Sequence, residues 1–365
     1  MRLTLDCRMI EHAGIGTYVG SLLDGLLDTA WGWEFVLLGS PQKLASFNRG
    51  AGVTVRSLEA PIYGVQEQWT LPSRIGKTDL FHAPHYNVPV FFGGRLVVTI
   101  HDLLHLAFPE FLPNRSAWAY ARTMLKLATR KARKIIAISE HTRQDLVRRL
   151  GVPERKVQVI YEAAPPMYAE PIAPEFLASA RRNFDLPERF ILYVGALKQH
   201  KNLERLLEAH AALHAKGWKE PLVLVGHFDW KAVRLMAKLK QAIQEGRARY
   251  LGELPKSNLP ALYRLATLFV FPSLYEGFGL PPLEAMASGT PVAVARATSL
   301  PEVVGEAGLT FDPYSVSEMA DAMEKLLSSD GLRARLSQAG REQSARFSWA
   351  RCAEQTLRLY QDAVS

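Results

Sequence analysis

The chain has 365 residues and a formal net charge of +8; that length accommodates two domains of ordinary size. Apolar residues at 48% and charged residues at 22% are the balance of a soluble globular protein and exclude wholesale disorder. The two cysteines, Cys7 and Cys352, exclude a disulfide framework and fit a reducing compartment, and no segment approaches the ~18 apolar residues of a transmembrane helix.

The opening residues, Met1 to Asp6, read as a first core strand rather than a signal peptide. Further strands are expected at 34–38, 53–56, 80–82, 97–100, 135–138 and 157–160, with the clearest helices at 15–27 and along the basic segment 115–134. This strand–helix alternation predicts a mostly parallel sheet. The run from Pro165-Pro166 to Pro187 interrupts it and suggests a domain junction, with a small helix over 174–183. The pattern then restarts. Strands are expected at 190–194, 222–225, 248–251, 268–271 and 291–295, and helices at 203–215, 231–243, 282–288, 316–327, 331–344 and 349–360. Two similar α/β halves imply a cleft between them, a favoured place for a small-molecule site.

The positive charge is unevenly placed. From Arg115 to Lys134 there are seven basic residues and no acidic one. Arg115, Arg122, Lys126, Arg130 and Arg133 fall near one helical face, and Trp118, Tyr120, Met124, Leu125 and Leu127 give apolar surface elsewhere on it. Such a face suits anionic lipid headgroups or a pyrophosphate-bearing substrate, or is a plain solvated face. No finger, glycine–aromatic or recognition-helix pattern accompanies the charge, so a nucleic-acid partner is not expected.

Four stretches carry candidate chemistry. Gly14-Ile-Gly16-Thr-Tyr18 opens a helix after the first strand, where glycines let backbone N–H groups approach an anion or simply cap the helix. It is not the dinucleotide fingerprint, because Val19 stands where the third glycine belongs. His101-Asp102 leaves a strong strand; His101 could hydrogen-bond a substrate or cap local backbone, and Asp102 could fix the loop or the imidazole. Nearby His82, His85 and His105 match no strong zinc spacing. In the second half, Gly195 ends a strand and Lys201-Asn202 opens a helix, a setting in which a lysine adds a point charge to phosphate binding. Asn202 is expected to cap that helix.

The most informative stretch is Phe271-Pro-Ser-Leu-Tyr-Glu276-Gly-Phe-Gly-Leu-Pro281-Pro-Leu-Glu284-Ala-Met-Ala-Ser-Gly289-Thr-Pro291-Val. It joins a buried strand to a short helix, and such a corner lies at the carboxyl end of a parallel sheet, where ligands bind. Pro281 or Pro282 suits the first helical turn, and free N–H groups there would attract a phosphate. Glu276 and Glu284 are eight positions apart, a spacing that suits gripping separate hydroxyls of an extended ligand.

Together these stretches resemble the retaining glycosyltransferases of the bacterial family 4 type. The resemblance covers nearly the whole chain. Its specific part is Glu276-Gly-Phe-Gly-Leu-Pro-Pro-Leu-Glu284 with the following Ala-Met-Ala-Ser-Gly-Thr-Pro-Val; Pro301-Glu302-Val303, the Val-Thr-Ile-His-Asp-Leu strand end, Gly195 with Lys201-Asn202, and the weaker Gly14 and Gly16 complete it. It implies an α/β GT-B architecture, with two Rossmann-like domains facing a central cleft: an acceptor-binding domain over 1–170, a linker over 171–188, a nucleotide-sugar-binding domain over 189–346, and a C-terminal helix over 347–365 packing back toward the first domain.

The resemblance also implies roles. Glu276 would contact donor-sugar hydroxyls near C3 and C4, Glu284 would hold the ribose, and Lys201 would bind the diphosphate. Gly195 belongs to the same nucleotide-binding corner. Gly277, Phe278 and Gly279 would enclose the donor through their backbone, Leu280 would lie by its phosphates, Gly14 and Gly16 would lie at the donor–acceptor junction, and His101 would hydrogen-bond the transferred sugar. Many relatives carry an arginine where this chain has Ala196, which puts the phosphate clamp in question; Lys198 or His200 could take its place. No Asp-x-Asp metal motif is present, and no metal or other cofactor is expected. The 67–72 stretch and the His101 region resemble polysaccharide mannosyltransferases and favour GDP-mannose, with UDP-glucose open as donor. The acceptor would be a saccharide or lipid-linked saccharide. The protein would be cytoplasmic, with 115–134 in peripheral contact with the inner face of the cytoplasmic membrane. Rival readings are a sugar-nucleotide epimerase of the same architecture and a non-catalytic sugar-nucleotide-binding protein.

Overall fold

A computed structural model describes residues 1–365 other than 13, 50–51, 59–61, 63, 65, 113 and 229–232. The chain divides into two compact units, one of residues 1–162 with 348–365 and one of residues 163–347.

The first unit runs β1 (Arg2–Asp6), α1 (Ile15–Thr29), β2 (Glu34–Gly39), β3 (Val53–Ser57), α2 (Glu67–Ile75), β4 (Leu80–Ala83), β5 (Leu96–Ile100), α3 (Leu104–Ala107), α4 (Arg115–Lys131), β6 (Lys134–Ala137), α5 (Glu140–Leu150) and β7 (Val157–Val159). Its sheet has the order β3-β2-β1-β4-β5-β6-β7, and every pairing is parallel. The inner strands β1, β2, β4, β5 and β6 are largely buried, as a helix-covered parallel sheet requires, while the edge strands β3 and β7 are partly exposed. Along β2, Phe35 and Leu37 join a core with Leu22, Leu23 and Leu26 of α1, while Val36 and Leu38 join a second core with Leu71 and Leu125. That is the two-residue alternation of a strand.

The second unit runs α6 (Pro174–Asn183), β8 (Ile191–Val194), α7 (Leu203–Ala215), β9 (Leu222–Val225), α8 (Val233–Gln244), β10 (Ala248–Tyr250), α9 (Leu259–Leu265), β11 (Leu268–Phe271), α10 (Leu280–Ala287), β12 (Val292–Ala295), α11 (Leu300–Val304), β13 (Gly308–Phe311), α12 (Val316–Ser328) and α13 (Asp330–Ser344). Its sheet is again all parallel, in the order β10-β9-β8-β11-β12-β13. The expected start of α8, at Lys231, lies outside the described residues.

The last helix, α14 (Trp349–Val364), belongs to the first unit. Its Leu359, Tyr360 and Ala363 join the core of Leu22 and Leu26. Burying a leucine side chain such as Leu359 stabilises by about 1.5–3 kcal/mol. The approach to α1 is close: a Cβ on Gly25 would lie 2.7 Å from the Cβ of Ala353.

Both sheets reverse their strand order at one point, between β1 and β4 in the first unit and between β8 and β11 in the second. The carboxyl ends of strands at such a reversal form the crevice where open α/β sheets bind ligands. Asp6 ends strand β1, and His85 and His101 follow β4 and β5; Gly195 and Glu276 follow β8 and β11.

Candidate functional site

In the second unit, the loops after β8 and β11 bring Lys201 and Glu276 together. The Lys201 ammonium donates to Glu276 Oε1 at 2.5 Å, and each side chain is 14% exposed. Lys201 also lies 5.2 Å from the centroid of the Phe271 ring, which stacks on Tyr193. A cation and a carboxylate thus share one small patch with an aromatic floor.

Asn202 explains why the lysine loop sits there. It is buried, with left-handed backbone at φ 60° and ψ 30°. Its side-chain amide donates to the carbonyls of Pro272 (3.1 Å) and Pro313 (2.7 Å), and its oxygen accepts from Arg205 (2.9 Å). The expected helix-capping role is therefore corrected: the side chain caps nothing and instead ties three loops together. The backbone N–H of Leu274 adds a bond to the His200 carbonyl at 2.8 Å.

The Glu276 loop is held from its other side. The Glu276 N–H donates to Thr298 Oγ1 at 3.0 Å, and Ser299 Oγ donates to the carbonyls of Glu276 (3.1 Å) and Phe278 (2.6 Å). Thr298 holds this position at φ 52°, an outlying backbone for a β-branched residue and a form of strain that concentrates at functional sites. The Phe278 ring is buried against Phe347, so this residue presents backbone rather than ring to the loop. Gly277 and Gly279 are buried beside it, Gly279 at φ 122°.

The helix α10 starts at Leu280, two residues before the expected Pro282. Pro281 and Pro282 then occupy its first turn, so Leu280 is the one N–H donor among its first three residues. Glu284 projects from the middle of α10. It accepts from the Tyr263 hydroxyl at 3.0 Å and from Tyr168. Burial pushes its carboxyl up to about 7, against the opposing effect of those two hydroxyls.

On the β8 side, Gly195 has φ 151° and a Cβ there would lie 2.9 Å from the Tyr193 hydroxyl, which itself donates to the Ala196 carbonyl at 3.1 Å. Lys198 is exposed and His200 half-buried.

In the first unit, His101 follows β5. Its Nε2 donates to the Pro84 carbonyl at 2.9 Å, and its Nδ1 lies 3.2 Å from Glu162 Oε1. Asp102 accepts from the Leu104 N–H at 2.9 Å, so it fixes the loop rather than the imidazole. Gly14 precedes α1 at φ 77° with open space around it, whereas a Cβ on Gly16 would lie 2.3 Å from the Ile10 carbonyl oxygen. Gly16 is therefore required by backbone packing within this unit. A buried ion-pair network stands nearby: Arg8 bonds Asp6 (2.7 Å) and Glu67 (3.0 Å), and Glu67 also accepts from Asn87.

Sequence reasoning did not find Thr298, Ser299, Tyr168, Tyr263 or Glu162. The first two stand immediately before the Leu-Pro-Glu of α11, and that proximity to a noted motif was a usable signal. The tyrosines and Glu162 lie in stretches with no local pattern.

On α4, Arg115, Arg122 and Arg130 are exposed, as is Arg133 just beyond it, while Lys126 is half-buried and Met124 and Leu125 are core. Trp118 lies under the Arg122 guanidinium at 5.3 Å. Among the described residues, no group of three or more histidine, cysteine, aspartate or glutamate side chains is placed to hold a metal ion. Nor, among them, is any helix long and apolar enough to cross a membrane.

Residues 177–343 match the family described as glycosyl transferases group 1, and residues 12–165 match glycosyltransferase family 4. The chain is 33% identical over 297 residues to O-antigen chain mannosyltransferase B of Escherichia coli, covering 81% of this chain and 77% of that protein. It is 34% identical over 276 residues to the serotype-specific mannosyltransferase WbdA of Escherichia coli; the match covers 74% of this chain but only 33% of that longer protein. The fold matches the crystal structure of Anabaena Alr3699/HepE in complex with UDP-glucose, with a TM-score of 0.79 at 19% identity over 99% of this chain and 100% of that one.

Proposed function

The chain belongs to the group 1, family 4 glycosyltransferases, and on that premise we propose that it is a retaining, metal-independent mannosyltransferase. It moves mannose from GDP-mannose to a saccharide or lipid-linked saccharide acceptor. The observation that carries this reading is the Lys201–Glu276 pair at the strand-order reversal of the second sheet, with Glu284 on the adjoining helix. The choice of mannose is supported by the two mannosyltransferase relatives.

In this reading Lys201 binds the donor diphosphate and stabilises the negative charge that grows on it as the anomeric bond breaks. A preorganised cation does this with little reorganisation. Glu276 accepts hydrogen bonds from sugar hydroxyls, and Glu284 accepts from the ribose; ionised carboxylates are pure acceptors, as polyol binding requires. The backbone of 277–279 encloses the sugar, and Leu280 lies by the phosphates. The acceptor hydroxyl arrives on the face the diphosphate leaves, and the departing phosphate takes its proton. No protein nucleophile enters. With alanine at 196, Lys201 carries the diphosphate charge that many relatives share with an arginine.

Peripheral contact with an anionic membrane is part of the proposal, placing the enzyme at the cytoplasmic face. Its support is the basic surface of α4 together with an exposed aromatic pair. Trp69 and Phe91 are 62% and 64% exposed and meet edge to face at 4.6 Å. Lys131 of α4 bonds the carbonyl of Val90, next to Phe91, at 2.6 Å. Basic residues beside exposed aromatic rings suit a lipid headgroup layer.

Calorimetric titration with GDP-mannose, UDP-glucose and their nucleotides in the presence of a chelator tests the donor. Selective binding of GDP-mannose supports the proposal. Preference for UDP-glucose reassigns the donor, and heat only when a divalent ion is added removes metal independence.

A further inference from the structure

Three consecutive residues, Thr298-Ser299-Leu300, take hold of the Glu276 loop. They follow β12, which pairs in parallel with β11, and so stand beside the loop into which β11 leads. Thr298 Oγ1 accepts from the Glu276 N–H at 3.0 Å. Ser299 Oγ donates to the Glu276 carbonyl at 3.1 Å and to the Phe278 carbonyl at 2.6 Å. Leu300 packs on Gly279, where an added Cβ would lie 2.9 Å from its Cδ2. The N–H and the carbonyl of Glu276 are thus both fixed by adjacent hydroxyls, 22 and 23 residues further along the chain. Its carboxylate can then exchange Lys201 for a sugar hydroxyl by side-chain rotation alone, with the backbone in place.

The threonine stands where its backbone is unfavourable. The Leu300 N–H donates to the Ala297 carbonyl at 3.2 Å, which closes a turn over 297–300. Thr298 has φ 52° and Ser299 φ −81°, the signs of a type II′ turn, whose first central position is ordinarily glycine. Glycine adopts this backbone readily, and a β-branched residue rarely does. What threonine has and glycine lacks is the hydroxyl that meets the Glu276 N–H. Among the described residues, three other than glycine have left-handed backbone: Asp185, Asn202 and Thr298. Two of them flank the Lys201–Glu276 pair. Asn202 follows Lys201 and ties its loop to Pro272 and Pro313, and Thr298 holds Glu276. Strain placed in this way accompanies preorganisation.

We propose that Thr298 is the positioning residue of Glu276: its hydroxyl fixes the Glu276 backbone, so that the carboxylate meets the donor sugar without the loop having to order first. Thr298 acts through Glu276 and leaves the diphosphate contacts alone. This inference rests on the reading of Glu276 as the sugar-binding carboxylate.

Three substitutions in the full chain and one backbone amide test it. Thr298→Gly accepts the turn and has no hydroxyl, Thr298→Val keeps the branch and loses the oxygen, and Thr298→Ser keeps the hydroxyl. In Thr298→Gly and Thr298→Val, kcat with GDP-mannose should fall by roughly 10-fold, the worth of one hydrogen bond, with calorimetric affinity for GDP unchanged. Thr298→Ser should recover most of that turnover. Hydrogen exchange at the Glu276 amide, read by NMR, should quicken in Thr298→Gly and stay slow in Thr298→Ser. On a Glu276→Gln background, Thr298→Gly should bring no further loss, because its effect runs through the residue already changed. Should Thr298→Val fail to fold, Thr298→Gly carries the test. Either wild-type kcat or unchanged amide exchange in Thr298→Gly overturns the proposal, and so does an equal loss of GDP affinity, the sign of a general weakening of the domain. Wild-type turnover in Glu276→Gln removes Glu276 from the site instead, while the amide still reports whether Thr298 holds it.

Discussion

The ammonium of Lys201 lies 2.5 Å from a carboxylate oxygen of Glu276, 75 residues further along the chain. The two groups assigned to the diphosphate and to the sugar thus neutralise each other before any donor arrives. A pair this secluded is costly to break by removing one partner, because the other is left buried and uncompensated. Donor binding must replace that contact with phosphate on one side and hydroxyls on the other.

Glu276→Gln should therefore cripple turnover by about 10²–10³-fold while the protein stays folded. Steady-state kinetics beside a thermal melt checks this. Wild-type turnover in a folded Glu276→Gln enzyme removes the assigned role.

Lys201→Ala should weaken donor and nucleoside-diphosphate binding by about 10–100-fold, the loss of one charge-assisted contact. Free nucleoside should bind as before. Calorimetry with the nucleoside diphosphate and the nucleoside separates the two, and unchanged diphosphate affinity takes Lys201 out of the clamp.

Glu284 gives the site a pH dependence. Its folded carboxyl is pushed up to about 7 from an ordinary 4.5, so folding takes up a proton between those values. The stability this group contributes is full below about pH 4.5 and is lost as pH rises through 7. Donor affinity runs the other way, since ribose hydroxyls need the ionised acceptor. Affinity should rise between about pH 6 and 8, and Glu284→Gln should bind weakly with a flat profile. An affinity that falls over this range in the wild type contradicts the assignment.

Asn202→Ala should cost about 2 kcal/mol in chemical denaturation, from two carbonyls left unbonded and a left-handed backbone forced on alanine. Asn202→Gly keeps the backbone and loses only the bonds, so it should be the milder variant. Equal losses would mean the backbone conformation is not under strain.

Reversing Arg115, Arg122 and Arg130 to glutamate should lower binding to phosphatidylserine vesicles by roughly 10²-fold or more, at about 1 kcal/mol per charge. Trp69→Ala should weaken the binding that persists at high salt. Unchanged sedimentation with vesicles at low salt would leave α4 an ordinary solvated face.

The parts of this molecule written in local pattern were legible before the structure. β11 spans Leu268–Phe271 as read from one apolar run, and α1 starts at Ile15, between Gly14 and Gly16. Helices α2, α3, α5 and α9 were missed; α5 is polar for most of its length, and its signals are a capping Ser139 and a left-handed Gly151. Glu276 and Glu284 stood out because acids beside glycines and prolines at a strand end have few structural uses. Their supports did not stand out. Tyr168 and Tyr263 reach Glu284 from far along the chain, and Asn202 looked like a cap because side-chain bonds to Pro272 and Pro313 carry no trace in neighbouring residues. Contacts set by the tertiary fold leave no period to read.

The most direct measurement is proton NMR of the sugar product formed from GDP-mannose, with a saccharide acceptor and a chelator present. The account predicts an α-mannosyl product, retaining the donor's anomeric configuration, and no such product from Glu276→Gln. A β-linked product, or an epimerised sugar nucleotide with no transfer, would contradict it.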